Sequence, residues 1–129
     1  MTLTAEELQR FEPFRDVAPE PLDALVSGFE ELHLDLGAAV PARMDGESYT
    51  IWLLDAVVRL VGPHPTGQIS GKQVTHGLLT GPEVIQTSLI PDTVGYRLSV
   101  SSPGRIYRLS NSRFQQLKSE IPQFARWLH

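Results

Sequence analysis

The sequence predicts a mainly β fold with flanking helices: a small antiparallel β-roll or jelly roll, with two N-terminal helices and one or two C-terminal ones. Three observations predict it. Apolar residues recur at helical spacing before residue 30, alternate with polar ones at a period of two through most of residues 30–109, and return to helical spacing after residue 110. A length of 129 residues with 41% apolar content suits one domain around a single core.

Each element has its own local reason. Thr4-x-x-Glu7 is a capping box ahead of Leu8 and Phe11. Pro19-Glu20-Pro21 opens a second helix, with Leu22, Leu25, Val26 and Phe29 on one face. From Glu30 the period becomes two: Leu32, Leu34 and Leu36 point one way, Glu31, His33 and Asp35 the other, and Gly37 ends the strand. Residues 38–44 form a second short strand, and Asp45-Gly46 is a turn. Residues 49–61 read as one long strand with Trp52, Leu54, Ala56, Val58 and Leu60 on one face. Polar residues interrupt the other face only at Asp55 and Arg59, so the first half is expected to be covered on both sides, by the sheet core and by a terminal helix. A loop or hairpin follows over 63–72, then a short strand over 73–79. Val94, Tyr96, Leu98 and Val100 alternate with Gly95, Arg97 and Ser99, and Pro103-Gly104 turns the chain into a strand over 105–109, making a late hairpin. Ser112-x-x-Gln115 caps a helix carrying Phe114 and Leu117. Pro122 restarts one whose apolar side holds Phe124, Trp127 and Leu128. No stop signal follows, so the chain is expected to be a piece of a longer polypeptide.

Composition narrows the functional classes. No apolar run reaches the roughly 18 residues of a membrane span, and the first residues lack a secretory signal, so the expectation is a cytoplasmic chain that meets a membrane only through a fused domain. The absence of cysteine excludes disulfides, thiolate chemistry and cysteine-ligated metals. A net charge of -4 without a basic stripe argues against nucleic acid as a partner.

The most informative segment is residues 81–94, Gly-Pro-Glu-Val-Ile-Gln-Thr-Ser-Leu-Ile-Pro-Asp-Thr-Val. It resembles the phosphate-binding cassette of cyclic nucleotide-binding domains, in which a Gly-Glu pair is followed, nine residues after the glutamate, by an arginine in a Pro-Arg-x-Ala turn. Counting from Glu83 gives Pro91-Asp92-Thr93-Val94. The resemblance extends loosely over residues 12–128: the segment 14–25 is similar to the family's opening aromatic, proline and Leu-x-x-Leu helix. Leu36-Gly37 with Val40 is similar to its first strand turn. Residues 57–60 are similar to a Gly-x-Val-x-Leu strand in which Ala56 or Asp55 replaces the glycine, and residues 107–122 to its closing strand and helices.

The resemblance implies a site at Gly81, Pro82, Glu83, Pro91, Asp92 and Thr93, where the family holds a cyclic phosphate on backbone N–H groups and one arginine while the glutamate accepts from the ribose hydroxyl. Here that chemistry is reversed. Asp92 replaces attraction with repulsion, worth about 4 kcal/mol for a pair about 4 Å apart at an effective dielectric near 20. Pro82 offers no N–H, and Val94 narrows the space slightly. Arg97, on the polar side of its strand, is expected to face water; Lys72 and Arg43 are the other cations that could reach inward. Glu83 reads as a solvated or capping carboxylate in preference to a ribose ligand, and Asp92-Thr93 as turn chemistry after Pro91.

Other signals fail on spacing. Residues 67–73 imitate a nucleotide P-loop but are one residue short between the glycines and end in Gln73. His33, His64, His76 and His129 are scattered, and no motif sets a serine beside a base, so neither a metal, a cofactor nor a catalytic residue is expected. The reading is a non-catalytic regulatory or docking module with a degenerate cassette; the alternative is a small-molecule or cyclic nucleotide sensor with a rearranged pocket. Its partner is expected to be a neighbouring domain of the same polypeptide, or a second copy through Phe124, Trp127 and Leu128. Those residues form either an exposed edge or a face that packs back beneath Trp52.

Overall fold

The computed structural model describes residues 3–44, 47–63, 73–86, 96–122 and 124. A short helix α1 (Ala5–Leu8) opens the described chain, capped as its sequence predicts: Thr4 Oγ1 accepts from the Glu7 N–H at 3.2 Å and Glu7 Oε1 accepts from the Thr4 N–H at 3.0 Å. A 3₁₀ turn (Glu12–Phe14), the helix α2 (Pro19–Asp23) and a second 3₁₀ turn (Val26–Gly28) follow. The apolar face expected for one continuous second helix is thus buried by a broken one. Leu22, Leu25 and Phe29 are all in the core, but Phe29 is already extended.

Eight strands are present among the described residues: β1 (Glu30–Leu32), β2 (Arg43–Met44), β3 (Glu47–Leu53), β4 (Val57–Pro63), β5 (Gln73–Thr80), β6 (Glu83–Gln86), β7 (Arg97–Ser102) and β8 (Ile106–Ser110), with the helix α3 (Asn111–Glu120) closing the fold. All described pairings are antiparallel. One sheet runs β1-β8-β3, with β6 and β2 sharing the far side of β3; the other runs β5-β4-β7, so β7 and β8, expected to pair as a late hairpin, lie in different sheets. The first strand is shorter than its alternation predicts: Leu32 and Leu34 pack on the core, whereas Leu36 is exposed ahead of Gly37, whose φ of +84° turns the chain. Residues 38–44 form no continuous strand: Ala39 bridges to Ser99, flanked by bonds from the Val40 N–H to Leu98 O and from the Val100 N–H to Ala38 O, both at 2.9 Å, and β2 follows. The expected Asp45-Gly46 turn and most of the 63–72 loop lie outside the described residues.

The single long strand expected over 49–61 is two strands in different sheets. Between them, Leu54-Asp55-Ala56 carries the chain across, and backbone and side-chain bonds replace the ladder. The Leu54 N–H donates to Arg105 O at 3.0 Å, the Arg105 N–H to Asp55 Oδ1 at 2.6 Å, and the Gly81 N–H to Ala56 O at 3.1 Å. Two glycines make this approach feasible. A Cβ on Gly81 would lie 2.7 Å from the Leu54 carbonyl carbon and oxygen, and one on Gly104 2.7 Å from Ala56 N.

The crossover also separates two cores where one was expected. Ile51 and Leu53 face the roll interior with Ala56, Val58, Ile85, Leu98, Val100 and Ile106. Trp52 and Leu54 face the helical layer, and all four consecutive residues from Ile51 to Leu54 are fully buried, as expected for a strand covered on both sides. Trp52 is the hub of that layer. Its ring lies 5.4 Å from Phe14 in a stacked arrangement, and 5.1 Å and 5.0 Å edge-on from Phe11 and Phe29. Its indole N–H donates to Thr50 Oγ1 at 2.8 Å, and Thr50 Oγ1 donates to Leu109 O at 3.2 Å, so the buried polar atoms are satisfied.

At the C-terminal end the structure corrects one assignment and buries Phe124. The cap of α3 is Ser110, whose Oγ accepts from the Arg113 N–H at 3.3 Å, because β8 passes directly into the helix; Ser112 lies inside it. Phe124 is fully buried, 5.0 Å from Phe114 and 5.7 Å from Phe14. It packs back onto the aromatic layer that contains Trp52 and forms no exposed edge; Trp127 and Leu128 lie outside the described residues.

Two substitutions check this account by chemical denaturation. Gly81→Ala is expected to cost about 1–3 kcal/mol, because its methyl meets backbone that cannot rotate away. Ser110→Ala is expected to cost about 1 kcal/mol, and Ser112→Ala clearly less.

Candidate functional site

The segment singled out by its spacing begins at the crossover. Gly81 is half-buried against Leu53 and Leu54, and Pro82 and Glu83 are exposed. From Glu83 onward the chain is β6, in register with β3: Glu83 opposite Leu53, Val84 opposite Trp52, Ile85 opposite Ile51 and Gln86 opposite Thr50. The first half of the segment is therefore committed to a ladder, with Ile85 in the roll core and Val84 under the helices. Beside it, Glu12, Pro13, Pro82, Glu83 and Val84 line a hollow of about 30 Å³, room for a water molecule. Pro91, Asp92 and Thr93 lie outside the described residues. The structure thus brings Gly81, Pro82 and Glu83 together as three consecutive residues and gives Gly81 a packing role. Of the three candidate cations, Arg97 is exposed, as its place on the strand predicts; Lys72 and the Arg43 side chain lie outside what is described.

A cation the sequence reading missed lies on the roll face of β8. Arg108 is 8% exposed, shares the face of Ile106, and stands opposite Ile51 on β3 and Glu30 on β1. Its Nε donates to Glu30 Oε1 at 2.7 Å, and its guanidinium carbon sits 4.3 Å from the Tyr49 ring centroid. That hydrogen bond holds the guanidinium protonated above its ordinary range, against the opposing effect of burial. Nη1 is buried with no hydrogen-bond partner. The signal was present in the alternation of residues 105–109, which puts Arg108 on the side of Ile106.

On the helical face of the same sheet, Tyr107 stands opposite Glu31. The Tyr107 hydroxyl and Glu31 Oε1 are both buried without a hydrogen-bond partner, while Glu31 Oε2 lies 3.3 Å from His33 Nε2. Burial, reinforced by the neighbouring Glu31, pushes the Tyr107 phenol up to about 12. Arg105, the residue just ahead of β8, pairs with Glu7 and so ties α1 to this end of the roll. A cleft of about 490 Å³ opens alongside, between residues 31–35 and 103–105. Its Glu31, His33, Asp35 and Arg105 side chains set no nucleophile against a base, and among the described residues no group of His, Asp or Glu side chains is arranged to hold a metal.

The sensor domain of the transcriptional regulator DNR from Pseudomonas aeruginosa superposes with a TM-score of 0.68 at 20% identity, over 95% of this chain and 82% of that one. A cyclic nucleotide-binding domain from Methylobacillus flagellatus superposes with a TM-score of 0.65 at 16% identity, over 95% of this chain and 67% of that one. The fold is that of the cyclic nucleotide-binding domains. The catabolite activator protein of Thermus thermophilus matches it too, with a TM-score of 0.67 and 20% identity over 91% of this chain, which spans about half (54%) of that protein. No protein-family model matches the sequence, and no curated protein matches it. Among the described residues no helix is long and apolar enough to cross a membrane.

The buried phenol gives a pH dependence with a definite sign. Its folded pKa lies above the ordinary value of 10, so the stability it contributes is fully present below pH 10 and is lost as pH rises toward 12. Denaturation at a series of alkaline pH values is expected to show a loss of up to about 3 kcal/mol over that window, and Tyr107→Phe is expected to remove this component.

Proposed function

We propose that this chain is a non-catalytic regulatory or docking module on the cyclic nucleotide-binding fold, a single domain over residues 1–129 of a longer cytoplasmic polypeptide, with a degenerate cassette that holds no cyclic nucleotide. One observation carries the reading: Asp92 occupies the position at which the cassette's arginine would neutralise the phosphate. The described half of the segment supports it. Gly81 is accounted for by its contact with the crossover, Pro82 supplies no N–H, and Glu83 is exposed at the start of a strand. The module acts through protein contacts, with a neighbouring domain of the same polypeptide or with a second copy as partner and no nucleic acid. The match to about half of a catabolite activator protein favours a place inside a larger regulator. A membrane enters only through a fused domain.

The second reading is a small-molecule sensor with a rearranged pocket. Arg108 is the observation that favours it, since one nitrogen of a buried guanidinium is left idle on the roll face.

Calorimetric titration and thermal-shift measurements with cyclic AMP and cyclic GMP separate the two. On the first reading neither nucleotide gives binding heat or a rise in melting temperature up to high micromolar ligand. An upward shift of several degrees overturns it. Asp92→Arg combined with Pro82→Gly is expected to introduce measurable cyclic nucleotide affinity, a gain of at least about tenfold over the parent, because the charge at that position changes sign.

A further inference from the structure

The cleft between residues 31–35 and 103–105, about 490 Å³, has the volume of a small-molecule site, which runs to roughly 300–1,000 Å³. Its walls carry an excess of negative charge. Glu31 and Asp35 line it, and among the described residues no lysine or arginine pairs with either carboxylate. The lining cation, Arg105, is engaged by Glu7, and the carboxylate of Asp55 accepts from its backbone N–H. Two oxygens stand idle at the same place. Glu31 Oε1 is buried without a hydrogen-bond partner, and so is the hydroxyl of Tyr107, its cross-strand neighbour, a residue 2% exposed. The charges of Glu31, Arg105 and Asp55 all act on that hydroxyl, which places it behind the wall that Glu31 and Arg105 form. Buried polar atoms are paired in the great majority of cases, so two idle ones side by side call for a partner. Beside them the lining is aliphatic, from Leu32, Leu34 and Pro103.

From this arrangement we infer that the cleft binds an organic cation, a guanidinium on a short aliphatic stem, with Glu31 and Asp35 as its charge partners. A guanidinium carries N–H donors and no acceptor, so it complements a wall of carboxylates, and its fork can meet one of them with two parallel bonds. It is more weakly hydrated than an ammonium and so gives up less on leaving water. The stem has Leu32, Leu34 and Pro103 to lie on. Free guanidino compounds carry this head group, and so does an arginine side chain of a protein partner. Leu36, directly after the lining segment and 69% exposed, offers the latter an apolar contact. The site lies outside residues 81–94 and does not rest on the reading of the cassette: it would bind whether or not the roll holds a nucleotide.

Titration of the isotope-labelled 129-residue chain with n-butylguanidinium, followed by amide chemical shifts, tests it. The expected result is a saturable shift of the amides of residues 31–35, 104 and 105, with the neutral isostere n-butylurea binding at least about tenfold more weakly. Glu31→Gln is expected to weaken butylguanidinium at least about fivefold. If Glu31→Gln lowers the melting temperature, Asp35→Asn, at an exposed position, serves as the second variant. A blocked leucyl-arginine dipeptide separates the two sources: binding tighter than that of butylguanidinium assigns the site to an arginine of a partner protein, and equal or weaker binding assigns it to a free guanidino compound. Amides that do not shift, butylurea binding as well as butylguanidinium, or binding indifferent to both substitutions would each overturn the inference.

Discussion

The fold turns on three residues, Leu54-Asp55-Ala56, where the chain leaves one sheet and enters the other. Strand pairing ceases there, and the backbone groups are satisfied by Arg105, by the Asp55 carboxylate and by Gly81. The contact is close enough that the glycines at 81 and 104 leave no room for a methyl group. Because the crossover sets which sheet each half of residues 47–63 joins, it also determines which side chains line the roll and which meet the helices.

The result is a strand, β3, that serves as a wall between two cores. Ile51 and Leu53 face one, Thr50 and Trp52 the other, and none is accessible to water beyond a trace. The helical layer is held to that wall by aromatic contacts and not by helix length, since α1 and α2 are only four and five residues long. Helices so short have little stability of their own. Their order comes from Phe11, Phe14, Leu22 and Phe29 seated around Trp52, and from the Glu7–Arg105 pair that fixes α1 to the roll.

Much of this architecture was legible in residue periodicity. Alternation located the strands around Leu98, Val100, Ile106 and Tyr107, the Thr4-x-x-Glu7 box located α1, and apolar residues on both sides of residues 50–54 announced a doubly covered strand. The break at residues 54–56 was not legible, because Leu54 and Ala56 continue the alternation while the glycines that force the turn lie far along the chain. The α3 cap was misplaced because Ser112 has the better local pattern, Gln115 three residues on, whereas the chain leaves β8 at Ser110 with no residue to spare. Of the candidate site, Gly81, Pro82 and Glu83 were found by spacing. Arg108 was overlooked because a charged residue inside a short strand reads as solvent-facing unless its neighbour across the sheet is known.

Gly81 carries a wider lesson about resemblance. Its lack of a side chain is demanded by the Leu54 carbonyl 2.7 Å away from where a methyl would sit, a demand that persists with or without a ligand in the roll. A glycine retained as masonry is indistinguishable, to any pattern matched along the chain, from one retained for chemistry. The opening half of such a motif therefore testifies to construction, and only its charged half bears on use.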